Sequence, residues 1–178
     1  MNKKELALQY DRNEEYLKAI EAYEDYIATG DPDLEDFTNL CALYFFVMDG
    51  GVAAGLQLTK NQLNSFDKSF FELLDAGRKK FGEIVELAFW DKYYKWWHWG
   101  DEIDDCIELA KKSDSLSFFL ICTEPDIERK KQYLPQCKIL YEQVKDGGTT
   151  KKRHIASLLE SSFYEIERDE KKKRSAGK

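Results

Sequence analysis

The chain has 178 residues, 43% of them hydrophobic and 34% charged, with three prolines and a formal net charge of −7. That describes a foldable globular chain rich in helix formers, not a disordered one. The acid excess disfavours a dedicated nucleic-acid binder and adsorption to anionic lipid, and it suits a basic partner as well as solubility.

The opening residues Met1 to Tyr10 show no continuous apolar stretch of the kind an export signal carries. Nowhere do about 18 apolar residues run together, so no membrane span is expected. Cys41, Cys106, Cys122 and Cys137 are far apart in apolar helical surroundings, which reads as reduced, buried thiols in a cytoplasmic protein.

In chain order, the spacing predicts a short helix over 3–10. A polar break at Asp11-Arg12-Asn13 follows, then a helix over 14–28 with Leu17, Ile20, Tyr23 and Ile27 on one face. Asp31-Pro32 reads as an N-cap followed by proline at the first helical position, opening a helix to about Met48. Leu6, Ala7 and Tyr10, then Ala19 and Tyr23 in "YLKAIEAYEDY", then "GDPD" and "NLCALYF" recur at a telling spacing. Over residues 3–47 this pattern resembles one tetratricopeptide repeat plus the first helix of another. The resemblance implies an antiparallel helical hairpin of the kind used in protein-binding scaffolds, and no catalysis. Tyr26 stands where that family has a small residue, Pro32 is offset by one, and Asp49 to Gly55 interrupts before a second full repeat.

The segment Gly50-Gly51-Val52-Ala53-Ala54-Gly55 follows a helix instead of a strand, so it reads as an interhelix loop and not a dinucleotide-binding turn. Thr59 to Gln62 has capping-box form and opens a helix to about Lys80. Residues 83–99 hold all four tryptophans. At about 100° per residue, Val85, Leu87, Phe89, Trp90, Tyr93, Tyr94, Trp96 and Trp97 cover more than half the helix circumference. An arc that wide predicts a central aromatic helix gripped by neighbours on at least two sides. Glu86 falls inside the arc, where a buried carboxylate needs a partner. Further helices are expected over 101–110, through "LSFFLIC", over 123–145 with Pro135 as a kink or break, and from Thr149 onward. The expected fold is all-α, one domain over 1–169 with about eight or nine helices, and a charged, frayed tail over 170–178.

Candidate chemistry is sparse. His98 precedes Asp101, Glu102, Asp104 and Asp105, and His98, Asp101 and Asp105 form an imidazole–carboxylate set that a metal could use. Acids in a first helical turn also serve simply to complement the helix dipole. Lys151, Lys152, Arg153 and His154 follow two glycines at a helix start, where an anion or an acidic partner segment could dock; a solvated basic turn is the plainer reading. No HExxH, CxxC, P-loop or nucleophile elbow is present. No cofactor and no metal is therefore expected. The leading expectation is a non-enzymatic protein–protein interaction module binding another protein, of a toxin-neutralising or immunity type. The alternative is a metal-dependent or phosphate-handling enzyme built on one of those two clusters. The run Lys171 to Arg174 reads as solvated charge, with nucleic acid disfavoured.

Overall fold

A computed structural model describes residues 2–176, the side chain of Ala176 excepted. Among the described residues every regular element is helical. The order is α1 (Lys3–Arg12), α2 (Tyr16–Thr29), α3 (Leu34–Val47), α4 (Gly50–Gly55), α5 (Lys60–Phe81), α6 (Val85–Trp99), α7 (Asp104–Ala110), α8 (Ser117–Thr123), α9 (Ile127–Lys130), α10 (Leu134–Val144) and α11 (Thr150–Ala176). Short 3₁₀ turns sit at Asp114–Leu116 and Lys131–Tyr133. The all-α expectation holds, and the two helices beyond the expected nine are the short α4 and α9. The glycine-rich stretch expected as a loop becomes helix α4 because the Asp49 side chain accepts the Gly51 N–H at 3.0 Å and caps it.

The described residues group into two compact units, the first formed by the chain up to Cys106 together with Gly148–Lys151. Within it, α1 and α2 are antiparallel. Lys3, at the start of α1, pairs with Asp25 at 2.7 Å and donates to Thr29 at 2.8 Å, both near the end of α2. Helix α3 starts two residues later than the Asp31-Pro32 signal suggests. Asp33 is its N-cap, in a reciprocal capping box with Asp36, while Asp31 pairs with Lys80.

Helix α3 is buried on nearly every side, and its run Phe37 to Phe45 is almost wholly inside. It packs against α2, α5 and α6. Helix α6 brings the aromatic cluster: Leu87, Phe89, Trp90, Tyr93 and Tyr94 are all buried. Gly77 on α5 lets these helices approach. A Cβ there would lie 2.8 Å from Leu87 Cδ1 and 3.2 Å from Phe37 Cδ1. A glycine in a helix interior costs about 1 kcal/mol relative to alanine, which that close packing offsets.

The first unit also takes in the start of α11. The N–H and hydroxyl of Thr150 donate to Asp11 Oδ1 at 2.8 and 2.7 Å, so an acid on α1 caps a helix 139 residues further on. Asp11, read from sequence as part of a polar break, is fully buried and lies inside α1.

The second unit runs from Ile107 to Gly147 and resumes at Lys152. Its core is Phe118, Phe119, Ile121, Cys137, Leu140, Val144, Leu159 and Ile166. "LSFFLIC" is a helix, α8, and Pro135 sits in the first turn of α10, where proline's missing N–H costs nothing. The buried Lys130 is paired with Glu165. Of the charged run 170–178, residues 170–176 continue α11, with Lys173 bridging Asp169 and Glu128 at 2.8 and 2.7 Å. Residues 177–178 lie outside the described residues. All four cysteines are free, and burial pushes the Cys106 and Cys137 thiols up to about 11. No helix among the described residues is long and apolar enough to cross a membrane.

Candidate docking surface

Helices α3 and α6 run the same way: Phe37 and Leu87 both border Gly77, and Phe45 lies beside Trp97 and His98. The front of α6 is therefore roofed. Tyr94 stacks on Phe70 of α5 at 4.1 Å between centroids, and Tyr93 stacks on Phe45 at 4.7 Å. The Tyr94 hydroxyl donates to Asp67 at 2.9 Å; burial first, and that bond second, hold the phenol well above its ordinary value.

The last turn of α6 differs. Trp97 is 50% and Trp99 54% exposed, so the expectation of a wholly enclosed arc fails at this end. Helix α3 stops at Val47, alongside this turn, and α6 itself stops at Gly100, which adopts the left-handed conformation. The open rings are nevertheless seated. Trp97 leans on Phe45 at 5.8 Å and meets the half-buried Trp96 edge-on at 5.6 Å. Trp96 in turn stacks on Tyr93 at 5.8 Å. Trp99 rests against Phe71 at 5.2 Å. These are rigid apolar surfaces half presented to water.

Between the two open indoles lies His98, half-buried against Tyr94 and Phe45. Its ring hydrogen-bonds the backbone of Phe45, in the last turn of α3, where carbonyls run out of intrahelical donors. Nε2 is buried without a hydrogen-bond partner. Burial lowers the imidazole below its ordinary pKa, against the smaller opposing effects of the Phe45 bond and of Asp49 and Asp67. His98 is thus a neutral cap on the end of α3.

Carboxylates outnumber cations around this turn, and Lys95 lies 5.4 Å over the Phe71 ring that supports Trp99. Lys92 pairs with Asp105 at 2.6 Å, and Lys95 and Arg78 both pair with Asp91 at 2.8 Å. The stretch after Gly100 carries Asp101, Glu102 and Asp104, all exposed and none in an ion pair among the described residues. Asp101 and Asp105 both act on the Lys92 ammonium, one helical turn before Trp96, so the acidic stretch runs back beside the tryptophan turn.

The other sequence-derived candidates land elsewhere. His98 caps α3, Asp105 is tied to Lys92, and no set of three potential ligands able to hold a metal exists among the described residues. Lys151, Lys152, Arg153 and His154 are each partly buried, so they do not form a solvated basic turn. Lys151 reaches inward and donates to Thr38 at 2.8 Å, and burial lowers His154 to about 4. Glu86 is only partly buried and has an interaction partner. The deeply buried acids are Asp11 and Asp36, at 0% and 1% exposure. Burial raises the Asp36 carboxyl, opposed by its 2.9 Å pair with Lys4. Sequence reading missed both, although the Asp33-to-Asp36 spacing of a capping box was there to find. Comparison with known protein families, curated proteins and solved structures finds no match for this chain.

Proposed function

We propose that this chain is a non-enzymatic protein-interaction module that docks another protein on the last turn of α6. The observation that carries this reading is the pair of indoles, Trp97 and Trp99, each about half exposed on an aromatic base. Tryptophan is the side chain most enriched where protein interfaces concentrate their energy, and it loses little conformational freedom when already seated. The antiparallel α1–α2 hairpin, followed by α3 packing on α2, supports a tetratricopeptide-like scaffold in the first part of the chain. The small acidic all-α architecture supports the toxin-neutralising, immunity-type version of the reading, in which the partner is a basic protein.

Affinity capture from the native cell tests it, with the wild-type chain and a Trp97→Ala/Trp99→Ala double variant as paired baits. A protein recovered by the first and lost by the second is the expected result. Equal recovery by both baits, or repeated recovery of nothing, removes the proposal.

A further inference from the structure

The charge around the open indoles speaks to the chemistry of the partner. Building on the docking role proposed for that turn, we infer that the partner segment seated on Trp97 and Trp99 is cationic and arginine-bearing, with its guanidinium groups laid on the indoles and paired to Asp101, Glu102 and Asp104. Two independent features of the surface converge on this. Trp97 and Trp99 are each about half exposed, and an indole is the best aromatic platform for a cation. The three carboxylates beside them are exposed and unneutralised among the described residues, while Lys92, Lys95 and Arg78 are all committed to Asp105 and Asp91. The half-buried Asp49 and Asp67 add negative potential close enough to act on His98.

An acidic segment or a phosphate backbone would meet carboxylates there, with the neighbouring cations already engaged. A purely apolar segment would bury the edge of that acidic stretch without compensation. Arginine fits better than lysine because its flat guanidinium can stack on an indole while its edge donates two hydrogen bonds to one carboxylate.

The test uses the full chain and three labelled peptides of equal length that differ only in carrying arginine, lysine or glutamate, with binding read by fluorescence anisotropy. The arginine peptide should bind about tenfold tighter than the lysine peptide, and the glutamate peptide not measurably. Trp97→Ala/Trp99→Ala, and separately Asp101→Asn/Glu102→Gln/Asp104→Asn, should each weaken the arginine peptide at least about tenfold. A Trp97→Phe/Trp99→Phe variant should retain part of the affinity, since phenyl faces still attract cations. A control with Glu21, Asp25 and Glu142 converted to amides removes the same charge elsewhere and should change affinity by less than about twofold. Equal loss in that control would reduce the effect to net charge and overturn the inference. So would an arginine peptide that binds the indole variants as well as the wild type, or that does not bind at all. If the peptides fail while the capture experiment still returns a protein dependent on Trp97 and Trp99, the docking role stands and only the cationic partner is lost. A capture indifferent to the indoles sinks the docking role itself.

Discussion

The two ends of α6 are made of the same kinds of residue and do different work. Phe89, Trp90, Tyr93 and Tyr94 at the front are at most 3% exposed; Phe89, Tyr93 and Tyr94 stack on neighbouring rings at 4.1 to 5.3 Å, and Trp90 meets Phe45 edge-on at 6.1 Å. Trp97 and Trp99 at the back rest on Phe45 in the last turn of α3 and on Phe71 of α5, and each is about half exposed. Aromatic content alone therefore does not say what a ring is for. How far the neighbouring helices cover a ring decides whether it becomes core or surface.

Cutting into the front should have the largest effect. Phe89→Ala removes a fully buried ring and leaves a cavity, with an expected loss of about 3–5 kcal/mol in chemical denaturation. A loss below about 1 kcal/mol would mean the front is no better enclosed than the back.

Both histidines should respond to acid, His98 at the boundary between the two ends of α6 and His154 on α11. His98 is held neutral, with its pKa below the ordinary 6.5, and His154 is depressed to about 4. The unfolded chain therefore takes up protons first as pH falls. The stability each histidine contributes is intact above about 6.5 and is lost progressively as pH drops through the depressed folded value. Proton NMR titration should place both midpoints below 6.5, with His154 the lower. A midpoint for His98 at or above about 6.5 would place it in water and blur the boundary between the two ends.

At the back, the stability effect should be smallest. Trp97→Ala is expected to cost under about 1 kcal/mol, because half of the ring is already solvated and part of its support remains. The same variant should abolish a large part of the fluorescence quenchable by iodide, whereas Trp90, at 3% exposure, is shielded. Quenching unchanged by the substitution would show that Trp97 is not open.

Much of this was legible from spacing. The helix class, the capping box at Thr59 and the buried front of α6 follow from periodicity and local hydrogen-bond chemistry, which are properties of neighbouring residues. What stayed hidden depends on residues far apart in the chain. A helical projection of Trp97 gives its direction but not where α3 stops. Asp11 looks like surface until Thr150 is brought to it, and Gly77 looks like a weak point in α5 until Leu87 and Phe37 close on it. His98 beside acids suggested a ligand, but its ring is turned to the backbone of Phe45. Glu86 sat on the right face, near the start of α6, where the flanking helices leave it only partly covered.

The Asp11–Thr150 clasp has a consequence for how the polypeptide matures on the ribosome. Synthesis proceeds at roughly 5–20 residues per second, so for several seconds or more α1 is made but its clasp is not. Until Thr150 emerges, the Asp11 carboxylate lacks the two donors it will bury, and desolvating it early would be unfavourable. Closing so long a loop carries an entropic cost that only the finished contact offsets, which places this event late. Nascent chains stalled before residue 150 should therefore hold α1 loosely, and release past that point should tighten it.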